Sequence, residues 1–254
     1  MSCIPVRGCR IGEGRPKVIV PIVGHTETAI LEKAAEFSTL HADCVEWRVD
    51  LFEGAKDLGA VARCAAKLRV ALKDKLLLIT FRTKAEGGNV SLTHEEYLRY
   101  IRTVRTVLDT DCADLIDIEF FTAGADLPML IDDAHTAGAT VVCSSHDFRK
   151  TPPQAELVAR MVQMQQSGAD LPKVAVMPQS RADVLTLLAA TAEMADHHPE
   201  TPVITMSMGA LGAVSRLAGE AFGSAMTFAN PGQASAPGQV SLDVVNDVLD
   251  ALQL

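Results

Sequence analysis

The sequence predicts an α/β protein, a (β/α)8 TIM barrel with a short N-terminal hairpin capping one end. Short β-rich runs alternate with stretches of helical periodicity, eight such pairs fill the 254 residues, and little chain is left over. Parallel strands joined by helices need both faces covered, and eight such units can close on themselves. The competing architecture is an open doubly wound sheet, but Gly24-His25-Thr26 after the first run is no phosphate-binding glycine loop. One barrel domain over 1–254 is the expected organisation, without a marked repeat, linker or low-complexity tract.

Residues 1–16, with Gly8, Gly12 and Gly14, read as the capping turn or hairpin. The first pair joins the Val/Ile run 17–23 to a helix over 27–37. The second joins 44–49 to 58–73. In the third, the leucine run 76–81 leads to 93–108, where Thr93 ahead of Glu95 and Glu96 is a helix start signal. The fourth, 115–120 with 127–137, stops at Gly138. The fifth joins 139–144 to 153–167, starting with Thr151 ahead of Pro152 and Pro153 and stopping at Gly168. The last three pairs are 174–177 with 181–197, 202–206 with 211–218, and 225–229 with 242–252, the final helix opening with Ser241 before Asp243. The segment 230–239, rich in Gly, Pro, Ala and Gln, joins the last strand to the last helix at the barrel's C-terminal face. It reads either as a surface loop or as a lid carrying Ser235 and Gln239.

With 48% apolar and 22% charged residues, the chain can bury a large core. No apolar run approaches the ~20 residues of a membrane helix. The most apolar stretch, 206–228, is broken by Arg216 and Glu220. The N-terminus lacks the basic-then-apolar order of a signal peptide, so a soluble, cytoplasmic protein is expected. The six cysteines are scattered without a Cys-x-x-Cys pair and read as reduced thiols. A net charge of −9 and a single Trp argue against nucleic acid or a membrane as partner, so any anion must be held by a local cluster of Arg and Lys. No His-Glu-x-x-His, Walker loop, nucleophile elbow or calcium loop occurs, and neither metal nor cofactor is indicated.

Several strand ends carry polar residues where a barrel wall should be apolar. In Cys44-Val-Glu-Trp-Arg-Val-Asp50, Glu46 and Arg48 share one face while Val45, Trp47 and Val49 share the other. Packing the apolar face under helices turns the carboxylate and guanidinium into the barrel, as a buried ion pair or as a site. The third run ends with Arg82 and Glu86 before Gly87 and Gly88, and the fourth with the same-parity carboxylates Asp117 and Glu119. His146 stands near the end of the fifth run, where a structural histidine and a catalytic one read alike. Lys173 abuts the apolar sixth run, an unusual place for a lysine. Pointing inward, it would lose solvation beside arginines and approach the free amine an imine-forming nucleophile needs. Read from the run alone, however, it lies at the strand's N-terminal end. Met206 and Met208 suit core filling, and Arg216 suits either an exposed helical charge or an anion anchor.

Read in order, these segments resemble the type I 3-dehydroquinate dehydratases of the shikimate pathway over almost the whole chain. The resemblance rests on Glu46-Trp-Arg-Val-Asp50, Phe81-Arg-Thr-Lys-Ala-Glu-Gly-Gly88, Ser145-His-Asp-Phe148 with Thr151-Pro152, and Lys173-Val-Ala-Val-Met-Pro178. It continues through Ser207-Met-Gly209, Ser215-Arg-Leu-Ala-Gly-Glu220, Phe222-Gly-Ser224 and Ala234-Ser-Ala-Pro-Gly-Gln239. Their joint order, with His146 and Lys173 separated by 27 positions, is specific. The resemblance implies a homodimeric barrel acting without a cofactor on 3-dehydroquinate. It gives Lys173 the role of Schiff-base nucleophile, His146 that of general acid and base, and Glu86 that of the carboxylate behind the histidine. It assigns Arg216, Ser235 and Gln239 to the substrate carboxylate, Glu46, Arg48 and Arg82 to ring hydroxyls, and Met206, Met208 and Phe228 to apolar packing. It also implies that Lys173 points up the barrel interior. The chain departs from some members at about Pro21, where they carry a small hydroxyl residue.

Two other readings differ in class. A class I Schiff-base aldolase or transaldolase would need a phosphate site of glycines and amides after strands seven and eight, for which Met208-Gly209 and Asn230-Pro-Gly232 offer little. A barrel that merely binds a small acid would have no need of Lys173, His146 and Glu86 together.

Overall fold

Val, Ile and Leu favour strands when their side chains fill a pleated, buried surface, and the apolar runs of this chain do so in a computed structural model that describes residues 2–108, 112–232 and 236–252. The chain opens with a hairpin, β1 (Ile4–Val6) paired antiparallel with β2 (Cys9–Ile11). Eight parallel strands follow: β3 (Lys17–Ile22), β4 (Cys44–Arg48), β5 (Leu76–Thr80), β6 (Leu115–Glu119), β7 (Thr140–Asp147), β8 (Leu171–Val176), β9 (Ile204–Ser207) and β10 (Met226–Asn230). Each pairs with the next from β3 to β9, and β10 pairs with β3. A two-residue strand, β11 (Val240–Ser241), adds to the outer end of β10.

The ring closes between β9 and β10 at their N-terminal ends. Val203 and Ser224 form a parallel bridge, and the Ala225 amide donates to the Val203 carbonyl at 2.8 Å. The Ser224 hydroxyl supplements this seam, accepting from the Thr205 amide at 3.1 Å and donating to the Met226 carbonyl at 3.2 Å. The eight-stranded closure read from the alternation is thus present, with the expected hairpin beside it.

Side-chain alternation divides the wall into two cores. Outward residues such as Val45, Trp47 and Ile79 pack beneath the long helices α1 (Glu27–Phe37), α2 (Leu58–Leu72), α3 (His94–Leu108), α5 (Leu127–Thr136), α6 (Gln154–Gln166), α7 (Arg181–His197) and α11 (Leu242–Leu252). Inward residues such as Ile19, Leu76, Leu115 and Leu171 form a second cluster with Ile11, and Ile4, Val6 and Cys9 pack against it. The hairpin therefore stops the barrel at its N-terminal end with apolar side chains. Arg7 at the hairpin turn donates to buried Asp114 at 2.5 Å, and Asp114 also receives Arg69 and the Leu77 amide.

Several boundaries differ from the expectation. Strand β8 begins at Leu171 rather than 174, because the chain from Val142 onward in β7 offers a full ladder to Leu171, Pro172 and Lys173. Strand β7 runs on to Asp147, carrying His146 inside the sheet. The helix expected over 211–218 is three short turns, α8 (Gly209–Gly212), α9 (Val214–Leu217) and α10 (Gly219–Phe222). Another short helix, α4 (Phe120–Ala123), follows β6. Thr93 and Glu96 do cap α3 reciprocally, at 3.2 and 2.8 Å. Thr151 does not cap α6, whose cap position is Pro153, and no side-chain cap bond is made there. Among the described residues, no helix is long and apolar enough to cross a membrane.

Candidate active site

The inner face changes character along the barrel axis. Above the apolar layer, strands β4 to β8 contribute polar residues at the parity of their inward apolar side chains. Glu46 accepts from the Thr80 hydroxyl at 2.9 Å, and both are buried. Arg48 ends β4, and its Nε and Nη2 each meet an oxygen of Asp50 at 2.8 Å. Asp50, in the 3-10 turn Val49–Leu51, also accepts the Arg82 amide at 3.2 Å, so one buried carboxylate ties the ends of β4 and β5 together.

Arg82 lies just past β5, where its guanidinium crosses the barrel interior. It donates to Asp117 at 2.8 Å, to Ser144 Oγ at 2.9 Å and to Glu119 at 3.1 Å. Burial works against its charge, but Asp117, Glu119 and Glu86 together raise it well above an ordinary arginine. The next residues turn sharply through a 3-10 turn, Lys84–Glu86, because the Thr83 carbonyl accepts amides from both Glu86 and Gly88. A Cβ on Gly88 would stand 1.8 Å from the Arg82 carbonyl oxygen, so only glycine fits this return. The turn delivers Glu86 to β7.

Glu86 Oε2 accepts the His146 backbone amide at 3.1 Å and lies 2.8 Å from Nδ1. An oxygen already accepting an amide is best met by Nδ1–H, which leaves Nε2 as the basic nitrogen. Burial, then the charges of Arg82 and Lys173, hold the imidazole well below its ordinary value. His146 is therefore neutral at pH 7. Burial also pushes the Glu86 carboxyl up to about 8, against the opposing pull of Arg82.

Lys173 sits inside β8, paired in register with Ser144 on one side and Ile204 on the other. Its side chain is 97% buried. Nζ donates to Asp117 at 3.2 Å and lies 4.6 Å over the Phe228 ring. Asp117 also accepts the Ser144 hydroxyl at 2.6 Å. Burial would raise this carboxyl, but Arg82 and then Lys173 hold it well below the usual carboxylate range.

Opposite these groups, Arg216 projects from α9. The Ser215 hydroxyl fixes that turn, accepting from the Ser207 amide at 2.8 Å and donating to the Gly212 carbonyl at 2.7 Å. The Arg216 guanidinium is buried, and among the described residues no carboxylate pairs with it. It reaches only Met206 Sδ at 3.6 Å and the Pro237 carbonyl at 3.4 Å, and Nε finds no partner among the described residues. Burial alone lowers it to about 10. Glu46, Arg48, Arg82, Glu86, His146, Lys173 and Arg216, with Met206, Met208, Phe228, Phe148 and Gln239, line one cavity of about 190 Å³ at the C-terminal end of the barrel.

A sequence model of the family described as type I 3-dehydroquinase matches residues 18–254. The chain is 46% identical to the 3-dehydroquinate dehydratase of Bacillus subtilis over 252 residues, covering 99% of this chain and 98% of that one. The chain belongs to the type I 3-dehydroquinase family. A second member, the 3-dehydroquinate dehydratase of Klebsiella pneumoniae subsp. pneumoniae, is 46% identical over 251 residues, covering 99% of each chain. Among solved structures, the type I 3-dehydroquinate dehydratase of Clostridium difficile with covalently modified comenic acid superposes with a TM-score of 0.93. It is 42% identical, covering 99% of this chain and 97% of that one.

In this type I 3-dehydroquinase, the cavity gathers every residue to which the resemblance assigns a role except Ser235, which lies outside the described residues. Pro21 lines a neighbouring cavity instead. The naive position of Lys173 is corrected, since β8 starts three residues earlier than expected and places it within the ladder. Its surroundings are corrected too, because the partner of Nζ is the Asp117 carboxylate rather than arginines alone. Asp50 and Ser144 drew no attention in the sequence. Asp117 and Glu119 were visible there only as a same-parity pair. Their sign was alternation on strands that should be wholly apolar. Among the described residues, no group of three or more His, Cys, Asp and Glu could hold a metal ion.

Proposed function

We propose that this protein, as one domain over 1–254, dehydrates 3-dehydroquinate to 3-dehydroshikimate through a Schiff base on Lys173. The observation that supports it best is one cavity gathering a buried lysine, a histidine hydrogen-bonded to a carboxyl, and a buried arginine with no anionic partner among the described residues. A small polyol acid with a ketone meets all three. Its carboxylate neutralises Arg216, assisted by Gln239 and Ser235 from the 230–239 lid. Its hydroxyls meet Glu46, Arg48 and Arg82, and its ring lies against Met206, Met208 and Phe228.

In this reading, the Lys173 amine adds to the ketone and water leaves, giving an iminium. The iminium draws electron density from the neighbouring carbon, so His146 Nε2 can remove its proton and the electron pair forms an enamine. Collapse of the enamine expels the tertiary hydroxyl, which leaves as water with the proton returned by His146. A second water hydrolyses the imine. Glu86 keeps Nδ1 in the donor role throughout. The Clostridium difficile relative with covalently modified comenic acid is in keeping with covalent chemistry in the family. A sugar-phosphate aldolase gains no support, since the Gly209 amide after β9 already donates to the Pro237 carbonyl at 3.1 Å.

The homodimeric state and cytoplasmic location implied by the resemblance belong to this proposal. The test is peptide mass spectrometry after mixing the protein with 3-dehydroquinate and borohydride. A reduced adduct on Lys173, lost in Lys173→Ala, is expected. An adduct on another residue, or none on a folded protein that binds the compound, would overturn the nucleophile assignment.

A further inference from the structure

Asp117 is a charge held inside the barrel. It is fully buried, faces inward from β6, and touches three groups at once: Lys173 Nζ at 3.2 Å, Arg82 Nη2 at 2.8 Å and the Ser144 hydroxyl at 2.6 Å. A carboxylate with two donors on one oxygen and a hydroxyl on the other is held ionised and held still. One of its three neighbours is the nitrogen that would change chemistry. Condensation of an ammonium with a ketone gives an iminium and water, so a unit positive charge stands on Nζ both before and after the covalent bond forms. Only the intervening amine and carbinolamine are neutral.

We propose that Asp117 is the standing counter-charge of this nitrogen, pairing with Lys173 as ammonium in the free enzyme and as iminium in the covalent intermediate. This rests on the Schiff-base reading above. A neutral imine is a poor electron sink, so an enzyme that buries its nucleophile among cations must keep the imine protonated by other means. The charges around Nζ make the need plain. Arg82 stands beside Asp117, and His146, from β7, becomes a cation once it takes the substrate proton. Arg48 and Arg216 line the same cavity. Against them, Glu46 is bonded to Thr80, Glu86 faces His146, and Glu119 is engaged by Thr83, Thr122 and Arg82. Among the described residues, Asp117 is the carboxylate in contact with Nζ.

The experiment compares wild type, Asp117→Asn, Asp117→Glu and Ser144→Ala by kcat against pH and by borohydride trapping with 3-dehydroquinate. Asp117→Asn should lose turnover chiefly on the alkaline side, its alkaline limb moving down by about 2 pH units, the usual worth of a contacting opposite charge. Trapping should fall in parallel as the imine loses its proton, while KM changes less. Asp117→Glu should restore part of the alkaline activity. Ser144→Ala, which loosens Asp117 without removing it, should shift the limb in the same direction by less, and it serves if Asp117→Asn does not fold. A loss equal at every pH, with the limb unmoved in the folded variants, would overturn the counter-charge and leave the nucleophile intact. Absence of a wild-type adduct would overturn the nucleophile reading and the counter-charge with it.

Discussion

At the scale of single residues, the site pairs groups whose surroundings push them toward the state their task needs. His146 is depressed by burial and then by Arg82 and Lys173, which keeps its imidazole neutral for the proposed role of base, and its Nδ1 is occupied by Glu86. Replacing it by alanine should lower kcat by about 10²–10⁴-fold, the usual worth of a positioned acid and base. The imine should still form and accumulate under borohydride trapping. Near-normal turnover in His146→Ala would remove it from the mechanism. Arg216 is the opposite case, a buried cation with no anionic partner among the described residues, which the proposed substrate carboxylate would supply. Arg216→Ala should raise KM by about 10–100-fold, the cost of a charged hydrogen-bonded contact, with a smaller effect on kcat. An unchanged KM would return Arg216 to a structural role.

At the scale of elements, the loop after β5 brings Arg82, Glu86 and Gly87 to the cavity. It must place Arg82 into the barrel and then, four residues later, place Glu86 against β7. The tight return at Gly87 and Gly88 makes both possible: a Cβ at Gly87 would strike the Phe148 ring at 2.5 Å, and one at Gly88 the Arg82 carbonyl at 1.8 Å. Gly88→Ala should open the turn and draw Glu86 away from His146, lowering kcat by about 10-fold or more through loss of base orientation. A variant that folds with wild-type kcat would show that the turn tolerates the methyl group and that Glu86 placement does not depend on it. The short turns α8 to α10 act similarly on the other side of the barrel. There Ser215 pins the chain to the end of β9 and so aims Arg216 inward.

At the scale of the whole molecule, the barrel runs from an apolar, hairpin-stopped end to a charged end, and holding those charges has a cost visible in folding. Burial raises Glu86 from 4.5 to about 8, so the folded state keeps a proton that the unfolded chain releases between those values. The resulting stabilisation is full below pH 4.5 and is lost as pH rises through about 8. In Glu86→Gln nothing titrates at this position. Its stability relative to wild type should therefore improve across that window by about 1.4 kcal/mol per pH unit, read from urea midpoints at several pH values. A difference that stays flat with pH would contradict the buried, proton-holding Glu86.

Much of this protein could be read before any coordinates. The eight alternations set the barrel, because strand and helix periodicities of apolar residues are local properties of the chain. Parity on β4 alone turned Glu46 and Arg48 inward. The Thr93 box and the glycine stops at Gly138 and Gly168 also follow from local chemistry. The roles proposed for Lys173, His146 and Glu86 rest on the family resemblance carried by the joint order of motifs. What local sequence could not supply was where each strand begins and which groups meet across the ring. Lys173 is drawn into β8 by the ladder to β7, a gain that exists only once the neighbouring strand is present. Its meeting with Asp117, 56 positions away, and that of Arg82 with Ser144, 62 positions away, arise from closure of the barrel. Charge pairing in a buried interior depends on distances of a few ångströms, and those were decided by the tertiary structure.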